Sequence, residues 1–354
     1  MSNKLRVLSL FSGIGAFEKA LTNQGIDYEL VGFSEIDKYA IKSYCAIHNE
    51  SLDKSLGDIT KIDISKLPED IDLLTHGSPC TSFSLAGKQA GGDEGSGTPS
   101  SLLWYSVEII RQKKPKIVMW ENVANVLSAK HKHNFERYLS VLESLGYQNA
   151  YVVLNGKDFG VAQNRVRLIC ISVLDKNIDL SLLETRIQQR EPKVIRDILE
   201  DSYPNHMLLT REVRPLTSTK KSACIAIGQS SNNGSQGGKV YSIDGVFPTI
   251  CAGTHGYALG YIQDEKGVYR KITPLEAFRL MGFSDEDYEK AKSTGNSETQ
   301  LYKQAGNSIS YNVIKALFEE VVNQYDKTFY EDLTYLSLFS GIGAFEMALR
   351  DIVV

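Results

Sequence analysis

The chain has 354 residues, 42% hydrophobic and 23% charged, with a formal net charge of −4. That length holds one large α/β domain and a smaller one around a core that needs no covalent staple. The acidic balance argues against a wholly basic nucleic-acid coat, although net charge says little about a local patch. No apolar run approaches the roughly 20 residues of a membrane span. The run after Met1-Ser2-Asn3-Lys4-Leu5-Arg6 is too short for a signal peptide, so a cytoplasmic location is expected. Cys45, Cys80, Cys170, Cys224 and Cys251 are odd in number and scattered, with no Cys-x-x-Cys pair and no histidine at ligand spacing. Neither a disulfide framework nor a metal site is expected.

In chain order, Leu5 to Leu10 is an apolar strand pattern, followed by Phe11-Ser12-Gly13-Ile14-Gly15 and a helical pattern through Leu21. Strand, glycine turn and helix bring backbone N–H groups close to a ligand, but the same turn also serves helix–strand packing. The next apolar run, Tyr28 to Phe33, ends in Ser34-Glu35-Ile36-Asp37. An acid about 20 positions past the glycine turn, at a strand end, is placed for a ribose; the alternative is a helix N-cap. Asp37 is assigned to the cap and Glu35 to the ribose. Gly57-Asp58-Ile59 offers a third acid at the end of a third strand.

A fourth strand, Ile71 to His76, delivers the loop Gly77-Ser78-Pro79-Cys80-Thr81-Ser82-Phe83-Ser84 at its carboxyl end. Pro79 fixes the backbone before the thiol, and the glycine-rich stretch from Gly87 to Gly97 supplies a mobile flap after it. An arbitrary cysteine is more often a small buried hydrophobe than a nucleophile; the residues further along the chain reverse that balance. Ser100 to Gln112 has helical spacing, and the strand Lys116 to Trp120 ends in Glu121-Asn122-Val123. A helix over about Phe135 to Leu145 leads to the strand Tyr151 to Leu154. The run Val161 to Arg167 then enters the strand Leu168 to Val173. Alternation places Gln163, Arg165 and Arg167 on one face, either a polar cavity wall or a solvated edge.

From about Glu184 to Lys271 the helix–strand alternation disappears. Residues 186–272 carry 12 Lys+Arg against 8 Asp+Glu, and the turn-rich stretch Gly228 to Gly238 lies among them. The segment reads as a separate loop-rich domain with a positive surplus. Regular structure resumes in a short helix from Thr273, closed by Gly282, and in a last long helix from Gln304-Ala305-Gly306-Asn307-Ser308 to about Tyr325.

Six blocks in this order resemble those of the C5-cytosine DNA methyltransferases of bacterial and phage restriction-modification type. They are Phe11-Ser12-Gly13-x-Gly15, Pro79-Cys80-x-x-Phe83-Ser84, Glu121-Asn122-Val123, Gln163-x-Arg165-x-Arg167, Glu276-Ala277-x-Arg279-Leu280-x-Gly282-Phe283 and Gln304-x-Gly306-Asn307-Ser308. The resemblance implies an α/β fold: a Rossmann-like adenosylmethionine-dependent methyltransferase domain with a mixed, mostly parallel seven-stranded sheet, plus a small loop-rich target-recognition domain. It divides the chain into a catalytic and cofactor-binding domain over 1–183, target recognition over 184–271, a return to the catalytic domain over 272–333, and a C-terminal repeat over 334–354.

The implied reaction moves a methyl group from S-adenosyl-L-methionine to C5 of a cytosine flipped out of a specific short duplex DNA sequence. Cytosine C5 is a poor nucleophile, so a thiolate adds at C6 first. Cys80 is the implied nucleophile, Glu121 contacts N3 and the amine of the base, and Arg165 and Arg167 hold the cytosine carbonyl and the catalytic loop. Cofactor contacts fall on Phe11, Gly13, Gly15, Glu35, Ile36, Asp58, Ile59, Pro79, Leu102, Asn307 and Ser308. DNA contacts are sought at Ser84, Gln163, Arg211, Arg214, Gln229 and Thr249, and also at Lys220, Lys221 and Asn232. Phe247-Pro248-Thr249-Ile250 resembles the family's Thr-Leu element, with isoleucine replacing leucine.

Double-stranded DNA is the implied partner, with a cognate restriction endonuclease acting separately, no membrane, and a monomeric enzyme. The rival readings are an RNA (tRNA) cytosine-5 methyltransferase and a binding module without catalysis; intact Cys80, Glu121 and Arg167 oppose the second. The stretch Leu336 to Leu349 fits none of the six blocks: it repeats Leu8 to Leu21 with a single change, Lys19 to Met347. It reads as the remnant of a truncated second copy, or as a spare first strand, turn and helix able to replace the original.

Overall fold

The computed structural model describes residues 4–84, 89–174, 189–216, 222–231, 234–252 and 259–320. Its strands and helices in chain order begin with β1 (Leu5–Leu10), α1 (Ala16–Asn23), β2 (Tyr28–Ser34), α2 (Lys38–His48), β3 (Leu73–His76), α3 (Leu103–Lys113), β4 (Ile117–Val123), α4 (Lys132–Ser144) and β5 (Gln148–Asn155). There follow β6 (Gln163–Asn164), β7 (Val166–Val173), β8 (Arg214–Pro215), β9 (Ala226–Gln229), β10 (Lys239–Ser242), β11 (Phe247–Pro248), β12 (Tyr261–Gln263) and β13 (Tyr269–Arg270). Helices α5 (Pro274–Arg279), α6 (Asp285–Ser293) and α7 (Glu298–Asn307) close the series, with helical backbone again over 311–320, here α8.

The main sheet runs β2-β1-β3-β4-β7-β5. The β1–β2, β1–β3 and β3–β4 pairs are parallel, whereas β7 lies antiparallel to both β4 and β5. Both faces are covered, and strict alternation sorts the side chains between them. Val7, Leu73, Ile117, Met119, Ile169 and Ile171 pack with Phe17 of α1 and Phe318 of α8. Leu8, Leu10, Leu74, Val118, Trp120 and Cys170 face the other way, onto α3 and α4.

The described sheet has six strands where seven were expected. The missing one is the third: residues before Gly57 make a single bridge, Ser55 to Phe33, and a 3-10 turn over Leu52–Lys54 capped by Ser51. Ser51-Leu52-Asp53-Lys54-Ser55 has too few apolar side chains to cover a sheet face, and its serine and aspartate favour local turns.

A second sheet, β13-β12-β10-β9-β8, is built from the turn-rich region, and β11 pairs in parallel with β6 of the first half. Its core is shared rather than separate: Tyr241, Phe247, Ile250 and Ile262 pack with Phe278, Leu280, Tyr288 and Leu301 of the following helices. The expected last helix is in fact two. Gln304 to Asn307 end α7 rather than opening a helix, Ser308 caps it, and α8 starts afresh. Gly306 sits where an added Cβ would lie 2.5 Å from the Cys251 carbonyl, so only glycine fits that crossing.

His76 is buried at the end of β3, stacked on Trp120 and 3.2 Å from the Tyr138 hydroxyl. Burial lowers its pKa to about 3. A histidine held neutral in this way contributes stability fully above its ordinary value near 6.5 and loses it as pH falls from there toward 3. Thermal midpoints are therefore expected to decline across that window and to decline less steeply in His76→Gln. The slope is reduced rather than abolished, because burial also lowers His48 and His131. Identical slopes in the two proteins would contradict this.

The repeat at 336–349 lies outside the described residues, but the first copy shows what a replacement must supply. Lys19 Nζ is 2.8 Å from the buried carboxylate of Asp287, and Val7 is wholly enclosed. In the second copy these positions are Met347 and Tyr335, which would leave a buried carboxylate without its cation and overfill a closed site. Deleting residues 1–25 is therefore expected to abolish activity; appreciable turnover by the deleted chain would show that the copies exchange.

Candidate active site

The cysteine loop leaves β3 at the carboxyl edge of the sheet, beside the end of β4. Side chains from β4 and from the 3-10 turn Pro99–Leu102 that precedes α3 hold it. Trp120 Nε1 donates to Ser78 Oγ at 3.0 Å, Asn122 Nδ2 to Ser78 O at 3.0 Å, and Ser100 Oγ to Pro79 O at 2.7 Å. The turn closes on itself where the Phe83 and Ser84 amides donate to Cys80 O. Beyond it, the described part of the flap rests on α3 and α4. Trp104 Nε1 donates to Gly92 O at 2.8 Å, His133 pairs with Asp93, and Arg137 pairs with Glu94. Residues 85–88, which include the first two of the expected flap, lie outside the described residues.

Cys80 is half-buried and shares its surroundings with a carboxylate and two guanidinium groups. Burial, then the Glu121 charge, push its thiol pKa up, while Arg167 and Arg165 pull it down. Glu121, at the end of β4, is 8% exposed, and Arg167 Nε lies 2.9 Å from its Oε1. Burial raises the Glu121 pKa against the opposing pull of Arg167 and Arg165. Arg165 is itself pushed down, by burial first and by Arg167 second. The charged carboxylate thus favours the proton on the thiol.

The glycine turn stands across a narrow cleft from this group. Phe11, Ser12, Gly13, Gly77, Glu121 and Ser308 are among its walls, so the turn and the carboxylate share one space. Gly13 has a φ of +56° with nothing within 4 Å of an added Cβ, and its amide donates to Glu35 Oε2 at 3.0 Å. Glu35 Oε1 accepts from the Ile36 and Asp37 amides at 2.8 Å each. Asp37 caps α2 through the Tyr39 amide, as expected, and pairs with Lys303. From behind, His48 Nε2 lies 3.0 Å from Ile14 O and fills the space a side chain on Gly15 would need. Asp58 caps the 3-10 turn Ile59–Lys61, and Ile36 stands 73% exposed beside Glu35. Leu102 borders a cavity of about 510 Å³ between the flap and α3.

Comparison with known proteins decides what this arrangement belongs to: the profile of the C-5 cytosine-specific DNA methylase family matches residues 5–323. The chain belongs to that family. Among curated relatives, the orphan methyltransferase M.SPRI of Bacillus phage SPR is 33% identical over 91% of this chain and 98% of its own. The type II methyltransferase M.HhaI of Haemophilus parahaemolyticus is 34% identical over 88% of this chain and 92% of its own. The solved Entamoeba histolytica methyltransferase EhMeth shares the fold, with a TM-score of 0.70 over 92% of this chain and 99% of its own at 17% identity. The chain is accordingly a DNA (cytosine-5-)-methyltransferase.

Within this cytosine methylase, the structure gathers Cys80, Glu121 and Arg167 and sets Phe11, Gly13, Asn307 and Ser308 around the adjoining cleft, with Glu35 bonded to the Gly13 amide. Several other residues lie in unexpected roles. Arg165 directs both terminal nitrogens at main-chain carbonyls of residues 250, 306 and 308, and its buried Nε has no partner among the described residues. Gln163, sought as a DNA contact, is fully buried and bonded to Leu280 O and the Ile250 amide. Gln229 is turned inward onto Ser231, Thr249 Oγ1 donates to Asn164 O, and exposed Arg214 holds Ser231 O. Arg211 is exposed and Ser84 half-buried, while Lys220, Lys221 and Asn232 lie outside the described residues. Sequence reasoning missed Asn122 and Ser100 as supports of the cysteine loop, and His48 behind the glycine turn. Only Asn122, next to Glu121, carried a signal in the sequence.

Proposed function

We propose that this enzyme methylates C5 of a cytosine swung out of duplex DNA, with Cys80 adding covalently to C6. The observation that carries the reading is the shared cleft: Glu121 and the glycine turn line one space, and the Cys80 thiol responds electrostatically to Glu121. A base within reach of that thiol must leave the helix stack, at a cost of a few kcal/mol.

The cleft residues fit S-adenosyl-L-methionine. Gly13 presents an open cradle, Ser12 Oγ is buried without a partner among the described residues, and Ile36 offers an uncovered apolar side chain beside Glu35. Glu35 and Asp58 would take ribose and adenine hydrogens, Phe11, Ile36, Ile59 and Leu102 the adenine faces, and Gly13, Gly15, Pro79, Asn307 and Ser308 the remainder. When bound, the cofactor supplies an electrophilic methyl group.

The protein's own part begins with protons. A raised pKa equips the Glu121 carboxyl to donate a hydrogen bond to the base N3, relieving the electron density that builds on the ring as sulfur adds. Burial raises the Cys80 pKa whatever the state of Glu121, but once Glu121 is neutral its added charge effect is gone, whereas Arg167 and Arg165 still favour the thiolate. A base N3 that accepts from the carboxyl favours the protonated form of Glu121, and the Cys80 proton leaves to solvent before sulfur adds to C6. Arg167 also fixes the carboxyl through its Nε contact. After methyl transfer, loss of the C5 proton and departure of the Cys80 sulfur restore the aromatic ring. The recognition region, about 184–271, would supply phosphate and base contacts, with exposed Arg211 and Arg214 as candidates.

The relatives are named as orphan phage and type II methyltransferases, and by analogy this chain would mark one short DNA motif, for self-protection or beside a separate endonuclease. Sequencing of plasmid DNA from cells expressing the chain should show 5-methylcytosine in one motif, absent with Cys80→Ser. Unmodified DNA from cells containing folded, cofactor-binding protein would overturn the DNA reading and direct attention to RNA.

A further inference from the structure

Arg165 stands just before β7 and is 4% exposed, with its guanidinium inside the molecule. Nη1 donates to Ile250 O at 3.1 Å, and Nη2 donates to Gly306 O at 3.1 Å and Ser308 O at 2.7 Å. Ile250 lies just past β11, in the region expected to carry target recognition. Ser308 is a wall of the cofactor cleft. One planar side chain therefore ties the backbone of the recognition region to the backbone of the cofactor site.

Two further contacts reinforce the same junction. Gln163 Oε1 accepts from the Ile250 amide at 3.0 Å while its Nε2 donates to Leu280 O at 2.7 Å. The Cys251 backbone lies so close to Gly306 that no Cβ could stand between them. A shift of residues 250–252 would thus be felt at 306–308. A lysine cannot reproduce the tie, because one ammonium does not span the acceptors that the guanidinium fork reaches.

We propose that Arg165 is a positioning residue that couples DNA binding to cofactor binding, each ligand strengthening the other through the 250–306–308 junction. The coupling rests on the proposed function, which supplies the two ligands. A ligand that orders one side of the junction also orders the other, so the second ligand has less left to fix, and the effect is reciprocal.

The test is titration calorimetry of S-adenosylhomocysteine, the demethylated cofactor, with and without a duplex oligonucleotide carrying the motif found by sequencing. For the wild-type chain the duplex should tighten its binding by about 5-fold or more. In Arg165→Lys and Arg165→Met that ratio should fall to near one, beyond any loss in the separate affinities; a purely structural role would weaken both ligands and leave the ratio unchanged. A preserved ratio in folded variants, or a ratio of one in the wild-type chain, overturns the coupling. Should the variants fail to fold, hydrogen exchange on the wild-type chain decides: S-adenosylhomocysteine should slow exchange in a peptide covering 247–252, and unchanged exchange overturns the inference. Wild-type protein that binds neither ligand would overturn the functional reading itself, a distinguishable result.

Discussion

Cys80→Ser is expected to lower methyl transfer by at least about 10³-fold while leaving folding and cofactor affinity intact. The loop geometry explains why the effect should be confined to chemistry. Ser78, Pro79, Phe83 and the Cys80 backbone make the bonds that shape the turn, while the sulfur is not needed for them. A serine hydroxyl, however, is a far weaker nucleophile at neutral pH than a thiol, and the arginines beside it are insufficient to ionise an alcohol. Single-turnover rates on duplex DNA, beside calorimetric cofactor binding, measure the two parts separately. Equal losses in rate and in cofactor affinity would place Cys80 among the structural residues.

Glu121→Gln should lower kcat by about 10²- to 10³-fold, through loss of the proton donated to the base, and it should also move the pH profile. The sign follows from the surroundings of the thiol. Burial and the Glu121 anion both raise the Cys80 pKa, so the rise in kcat/KM with pH falls above the usual thiol range in the wild-type enzyme. Removing the anion leaves Arg167 and Arg165 less opposed and displaces that rise to lower pH, even as the plateau drops. Arg167→Met removes a cation and should displace it to higher pH. Opposite displacements in the two variants would be hard to obtain from a general loss of packing. A profile unmoved in both would show that carboxylate and thiol do not sense each other.

The main sheet and the loop carrying Cys80 were legible because apolar alternation and strand-end position reflect local physics. Leu73-Leu74 and Ile117 to Trp120 could be placed as strands without knowing their neighbours. The third strand is absent among the described residues because the segment before Gly57 is polar, and Ser51, Asp53 and Ser55 favour turns over a sheet edge. Asn307-Ser308 suits a helix start by residue type, but the same types serve as well to stop one helix before the next begins, and here they end α7.

Residue types alone did not distinguish Arg165 from Arg167. Alternation put both on one face, but Arg167 meets Glu121 whereas Arg165 meets three carbonyls, two of them more than 140 positions away. Gln163 and Gln229 illustrate the same difficulty, since a polar side chain in a recognition block reaches inward as readily as outward. The sequence names candidates for DNA contact; tertiary packing decides which remain available.

The most direct test of Cys80 as the nucleophile is covalent trapping. Duplex DNA with 5-fluorocytosine at the target position, incubated with the enzyme and S-adenosylmethionine, should stall after methyl transfer, because fluorine cannot depart as the C5 proton does. Digestion and mass spectrometry should then find the nucleotide bonded to the peptide containing Cys80. Methylated DNA without any protein adduct, or an adduct at another cysteine, would contradict that assignment.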